Sequence, residues 1–295
     1  MRIRRAVPAA LAAVSFLPAA FACRGRSEQA RSAAPSPSPA AAAPAATAAF
    51  VGRETCASCH GDEDQRWTGS HHDLAMQEAT EKTVLGNFAN ATFTHYGVTT
   101  TFLRKDGKYF VRTDGPDGRL QECPVAYTFG VYPLQQYLIP FPGGRLQALN
   151  VVWDARPKKE GGQRWFHLYP KEEVGHADPL HWTGPYQNWN FMCAECHSTN
   201  VKKGWNAASK TYSTTWSELD VSCEACHGPG SAHVAWAEAA LTGKGNPADP
   251  DKRLAVVLRD PAAKATWDID PKTGLAKRSV PRTSQTEIET CARCH

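Results

Sequence analysis

Eight of the ten cysteines in this 295-residue chain fall into one frame repeated four times: CASCH (Cys56, Cys59, His60), CAECH (Cys193, Cys196, His197), CEACH (Cys223, Cys226, His227) and CARCH (Cys291, Cys294, His295). Two thiols three positions apart on one turn reach the two vinyl groups along one edge of a porphyrin and become thioethers. The adjacent imidazole is then carried under the iron as its axial ligand. Other chemistries of paired cysteines fit less well. A zinc site needs four ligands and has no requirement for a histidine after every second cysteine. A thioredoxin-like redox pair is normally single and follows a strand. A disulfide framework would not repeat one frame four times. The expectation is four haem c groups, with His60, His197, His227 and His295 as proximal iron ligands.

The second axial ligands must come from elsewhere. Of 11 histidines, seven remain outside the frames: His71, His72, His95, His167, His176, His181 and His233. Beyond Met1 only Met76 and Met192 are present, and Met192 abuts Cys193, from where it cannot reach over its own haem. Histidine is therefore the expected distal ligand, and bis-histidine ligation gives lower potentials than His/Met. By position the first candidates are one of His71 and His72 in "RWTGSHHDLAM", and His233 in "CHGPGSAHVAWAEAA". His181 and His95 follow, with His167 and His176 last.

The elements that must position these groups can be read around them. Arg2, Arg4 and Arg5 precede an apolar run, Ala6 to Phe21, that ends in a small-x-small site, so residues 1–22 read as an export signal too short to span a bilayer. Cys23 then stands where a bacterial lipoprotein carries its acylated cysteine. Residues 23–49, rich in Ala and Pro, read as a tether able to hold a domain tens of ångströms from a membrane, at about 3.1 Å per residue if extended. The formal net charge is +4. Loss of the three signal arginines leaves 30 basic against 29 acidic residues, and the haem propionates move the balance further towards acid. With its basic residues scattered, the chain lacks the footprint of a nucleic-acid binder.

Residues 50–295 are expected to form a multihaem domain of α+β class: short helices and loops organised by haem, with an antiparallel β-meander insertion at about 92–170. Asp106-Gly107 marks a two-residue hairpin turn, and a second turn follows at Gly115 to Gly118. "TWSELDVSC", "GSAHVAWAEAALTG" and Asp62 to Glu81 supply the helices and loops, with Ser231 as a cap for the helix bearing His233. Cys123, outside every frame, reads as a small buried residue.

With "W..SHH..AM" after the first frame and "VSCEACHGPGSAHVAW" around the third, the chain resembles the cytochrome c-554-like multihaem superfamily. "FTHYGVTTTFLRKDGKYFVRTDGPDG", "YTFGVYPLQQYLIPFPGGRLQALNVVWD" and "NWNFMCAECHSTN" are similar to the N-terminal haem domain of large exported proteins that often carry C-terminal tetratricopeptide repeats. The resemblance implies that His72, after Ser70, and His233, after the Gly-Pro-Gly turn, are distal ligands. It also implies haems packed closely enough for electrons to hop. Relatives of this kind continue past a frame like Cys291 to His295, so the expectation is a C-terminally truncated chain with a repeat domain missing.

Two functions follow. One is an exported, membrane-anchored electron-transfer cytochrome serving redox partner proteins in the periplasm or another extracytoplasmic space. The alternative is an oxidoreductase acting on a small nitrogen or sulfur oxyanion at one haem with an open position. The anchor is directly testable: Cys23→Ala is expected to move the protein from the membrane fraction to the soluble periplasm, and unchanged fractionation would argue against acylation.

Overall fold

Long-range pairing of the central third of the chain builds the scaffold. The computed structural model describes residues 48–245, 248–249, 251–258 and 265–295. The signal, nearly all of the tether and Cys23 lie outside the described residues. Everything described belongs to one unit, Ala46–His295.

Four strands form a consecutive antiparallel meander: β2 (Ala91–His95), β3 (Val98–Lys105), β4 (Lys108–Asp114) and β5 (Leu120–Pro124). They follow a short strand β1 (Met76–Glu78) that belongs to a different sheet. Asp106 and Gly107 both take left-handed backbone conformations, φ 49° and 75°, between the paired residues Lys105 and Lys108. Two such residues make the mirror-image turn whose twist matches a hairpin. From Lys108 to Thr113 in β4, Tyr109, Val111 and Thr113 are buried and alternate with exposed or half-buried neighbours, the period of a strand with one face on a core, and Asp114 at the strand's end is buried as well.

The rest of the sheet structure is not the single meander expected over 92–170. A second sheet runs β1, β6 (Tyr127–Phe129), β7 (Leu134–Phe141), β9 (Val151–Asp154) and β10 (Arg164–His167), with β8 (Arg145–Ala148) beside β7. Strand β7 serves three partners, pairing Gln136 to Leu138 with β6, Leu134 and Gln135 with β9, and Leu138 to Phe141 with β8. All four residues of β9 and the run Tyr137 to Ile139 are buried. Strands covered on both faces lose the alternation from which a single meander was read, and β1 joins from outside the expected span.

Aromatic rings weld the two sheets together. Phe88 meets Phe102, Tyr109, Tyr137 and Trp165 edge-on at centroid distances of 5.0–5.5 Å. Phe102 and Trp165 stack at 3.4 Å. A second buried cluster joins Met76, Phe129, Leu138, Ala148 and Trp189 to Ala194, which lies inside the second cysteine frame. The sheet unit is thus the wall on which that frame is seated. Cys123 is buried in the first cluster.

The remaining segments are short helices: α1 (Arg53–Ala57), α2 (Gly61–Trp67), α3 (Trp189–Met192), α4 (Ala194–His197), α5 (Cys223–His227), α6 (Ser231–Leu241) and α7 (Thr286–Cys291). Residues 215–222 form no helix; Thr215 and Glu218 make isolated bridges to Lys202 and Thr199. Gly230, not Ser231, is the cap of α6; the Ser231 hydroxyl instead accepts the Ala49 N–H at 2.8 Å. Among the described residues no helix is long and apolar enough to cross a membrane.

Truncating Phe88 leaves a void under four rings. Phe88→Ala is expected to cost about 3–5 kcal/mol, read as a lower urea midpoint with the same slope; a loss under about 1 kcal/mol would contradict this core assignment.

Candidate haem-binding site

Each frame forms one tight turn. The His60 and Cys59 amides both donate to the Cys56 carbonyl, at 2.9 and 3.2 Å. His295 and Cys294 do the same to Cys291, at 3.0 and 3.1 Å, and Cys196 donates to Cys193 at 3.1 Å. The third frame is the whole of α5. The local winding places both thiols of a frame on one side, with the imidazole one residue on.

Although 132 residues separate the first two frames in sequence, the four converge in space. The Cys56 thiol neighbours the Cys223 thiol, and Cys226 lies near Cys291 and Arg293. Cys294 neighbours Cys196, whose Sγ lies 3.5 Å from the Arg293 carbonyl. The spatial succession is therefore first, third, fourth, second. Between the first and third frames an open cleft of about 190 Å³ is lined by Cys56, His60, His72, Cys223, Cys226 and His227, with Trp67 on its wall. Burial, with the neighbouring thiol as a further cause, pushes Cys56 up to about 11; burial likewise pushes Cys193 up to about 11. Burial also lowers His227, keeping its imidazole neutral, the form that binds a metal.

Two imidazole pairs stand out. His60 and His233 lie 6.1 Å apart between ring centroids, and so do His72 and His295. A metal–nitrogen bond of about 2 Å on each side, plus about 1.1 Å from nitrogen to ring centre, puts two trans imidazoles about 6.3 Å apart. The second nitrogen of these rings is also in order. His233 Nδ1 lies 2.8 Å from the Lys252 carbonyl, and His197 Nδ1 2.9 Å from the Ala75 carbonyl. His60 Nδ1 faces the Glu63 carboxylate at 3.9 Å. A metal-binding histidine typically donates its other N–H to a carbonyl or carboxylate, so His233 and His197 present Nε2. Among the described residues no group of three or more His, Cys, Asp and Glu is disposed to hold a metal by itself. Two-imidazole sites of this kind suit an iron whose equatorial positions are filled by a porphyrin. The residues fit the group.

The other histidines are placed differently. His71 lies against Tyr132, 6.3 Å between rings, and His197 faces Phe129 at 5.2 Å. His95 and His181, expected as candidate distal ligands, sit in the sheet unit with Nε2 already spent. His95 Nε2 lies 3.0 Å from the Glu172 carbonyl and His181 Nε2 3.1 Å from Asp114 Oδ2. His181 Nδ1 in turn lies 2.8 Å from the Thr183 hydroxyl. They line a separate cavity with His167, Asp114 and Asn150, and no cysteine frame reaches it. His167 Nδ1 accepts the Tyr169 amide at 3.1 Å, so its proton is on Nε2. His176 packs on the Gly118 turn. Sequence reasoning missed the Ala75 and Lys252 carbonyls as orienting partners, because no local signal marks them.

Residues 55–101 and 170–228 match the family described as cytochrome c554 and c-prime. The matched segments hold the first three frames, while His233 and the fourth frame lie beyond them. The unmatched interval falls within the two-sheet unit. Among solved structures the chain is similar to the undecahaem cytochrome from the S-layer of Carboxydothermus ferrireducens, at 21% identity and a TM-score of 0.37, covering 65% of this chain and 22% of that one. The chain thus spans about a fifth of that protein's length. No curated protein matches the sequence.

The sheet-unit histidines give a pH test. Burial and the neighbouring His95 hold His167 down to about 4, against an ordinary value of 6.5. The native ring stays neutral while the unfolded chain takes up a proton below pH 6.5, so stability falls as pH drops from about 6.5 towards 4. The loss is of order 3 kcal/mol. His167→Asn is expected to flatten this part of the pH dependence of the urea midpoint; an unchanged slope would contradict the assignment.

Proposed function

We propose that the chain is a multihaem c-type cytochrome of the cytochrome c554 type, which holds four haem c groups and relays electrons between redox partner proteins outside the cytoplasm, tethered to a membrane through Cys23; the family match over residues 55–101 and 170–228 supports this. The observation that carries this reading is the pair of 6.1 Å imidazole separations, His60 with His233 and His72 with His295. Each joins a frame histidine to one from a distant part of the chain. Bound haem supplies a one-electron iron couple, whose potential the axial ligands and their surroundings tune.

The rest is the work of the polypeptide. Cys56 and Cys59, Cys193 and Cys196, Cys223 and Cys226, and Cys291 and Cys294 would hold the four groups by thioethers. His60, His197, His227 and His295 would be the proximal ligands, and His233 and His72 the distal ligands at the first and fourth sites. The carbonyls of Lys252 and Ala75 engage Nδ1 of His233 and His197 and so leave Nε2 for the metal. The contacts among frame thiols bring neighbouring sites close enough for a relay without a mobile carrier. Filling both axial positions with imidazole leaves those irons no room for a substrate, which favours electron transfer over catalysis.

Periplasmically matured protein should carry four covalent haems by mass spectrometry, and a mass equal to the bare polypeptide would end this reading. In the reduced protein, His233→Ala and His72→Ala should each add one equivalent of carbon monoxide binding over the parent, with a low-spin to high-spin change at one haem. Variants that bind no more carbon monoxide than the parent would overturn the ligand assignment.

A further inference from the structure

Glu224 occupies a variable position inside the third frame, between Cys223 and Cys226. Such a side chain has no part in thioether formation or iron ligation, and a glutamate there would ordinarily point into water. Here it is 3% exposed. Its carboxylate accepts the Val51 amide at 3.0 Å to each oxygen, the Gly52 amide at 2.8 Å and the Gly230 amide at 2.7 Å. Every one of these partners is an N–H donor, which an acceptor-only carboxylate satisfies and an amide side chain does not.

The positions of those amides matter more than their number. Val51 and Gly52 lead into α1, which carries Cys56, and Gly52 is its cap. Gly230 is the cap of α6, which carries His233. One side chain of the third frame therefore fixes the start of the helix that carries Cys56, the first residue of the frame ending in His60, and the start of the helix that carries His233. The fit at Gly230 is close: a Cβ there would lie 3.2 Å from Glu224 Oε1 and 3.2 Å from Val51 Cγ2. Ala49 and Ser231 extend the same strap, with the Ala49 amide donating to Ser231 Oγ at 2.8 Å and the Ser231 amide to the Ala49 carbonyl at 3.1 Å. The Cys56 Sγ lies 3.6 Å from the Gly52 carbonyl and beside the Cys223 thiol, so the carboxylate stands at the junction of the first and third frames.

We infer that Glu224 is the positioning residue of the first haem site, holding His60 and His233 in register, and that its buried negative charge keeps the potential of the adjoining haem low. This rests on the proposed axial pairing. Reduction adds one electron and removes one positive charge from the iron. A fixed carboxylate in a low-dielectric surrounding favours the oxidised, more positive state. Backbone amides disperse that charge, and no Lys or Arg hydrogen-bonds to it among the described residues.

The test compares the full chain, matured with haem, as wild type, Glu224→Gln and Glu224→Asp. Three readouts are taken: covalent haem by mass spectrometry, spin state by near-infrared absorption and paramagnetic resonance, and midpoint potentials by spectropotentiometric titration. Glu224→Gln is expected to retain four haems, to shift one midpoint to a more positive potential and to convert part of one haem to the high-spin form. Glu224→Asp keeps the charge but is one methylene short of spanning both straps. It is expected to show the high-spin fraction while its midpoints stay near those of the wild type. A Gln variant with wild-type potentials and spin state overturns the inference. If the Gln variant does not mature, the Asp variant decides: a high-spin fraction at one haem supports the positioning role, and a wild-type spectrum overturns it. Failure of the underlying pairing is seen separately, as a His233→Ala variant that gains no open haem while all four remain attached.

Discussion

An iron held in a porphyrin offers a ligand position on each face, and only one of the two can be filled from within the attachment motif. The histidine of each frame follows its thioether cysteines by one residue, so local winding alone delivers it. The opposite imidazole has to be brought from far away in the chain. His233 lies 173 residues beyond His60, and His72 lies 223 residues before His295. Each such pairing forces distant segments to share a boundary, and the fold around the frames serves that requirement. The strap from Ala49 to Gly52 crosses the start of α6, the Val221 amide donates to the His72 carbonyl at 3.2 Å, and the Trp67 indole donates to the Val221 carbonyl at 3.0 Å. The hydrogen bonds with the longest sequence separation thus cluster where axial ligands must be registered.

The two-sheet unit answers a different need. Short helices of four to seven residues have no stability of their own, since isolated helices of fewer than about 12–15 residues are marginal in water. On the proposed reading porphyrins would supply apolar surface to the frames, but the second frame is also seated against protein, through Trp189 and Ala194 packed on Leu138, Phe129 and Met76. The unit's own aromatic cluster around Phe88 and Trp165 is closed without any frame residue. Because that core is self-contained, the interval that the family match leaves out can be large without disturbing the haem region.

What was legible in the sequence follows the range of the interaction behind it. The frames depend on five consecutive residues, and the Asp106-Gly107 hairpin on two, and both are where the sequence put them. The α+β class followed from strand-like patterning in one stretch and its absence elsewhere. The division into two sheets was not legible, because β7 and β9 are buried on both faces and because Met76 to Glu78 pairs across some fifty residues with Tyr127 to Phe129. The histidines divide in the same way. His72 and His233 sit in short motifs near frames, whereas His95 and His181 are spoken for by Glu172 and Asp114, partners 77 and 67 residues away. Nothing in the local sequence of a histidine says which of its nitrogens is already engaged. Glu224 was hidden for the opposite reason: it stands inside a recognised motif, at a position the motif leaves free.

The order in which the frames touch has a consequence for how the relay is built. Sequence order runs first, second, third, fourth, but contact order runs first, third, fourth, second. The two frames adjacent in sequence at the N-terminal end of the array are thus its two ends in space, and the sheet unit is the connection between them. Frames one and three are tied by Glu224, and the second is seated on the sheets through Ala194. The fourth bridges the third and second through Arg293, Cys291 and Cys294. Loss of an end frame would shorten such a line, whereas loss of the third or fourth would cut it. On the proposed reading the third frame combines two duties, carrying its own haem and, through one buried carboxylate, keeping the neighbouring site in place.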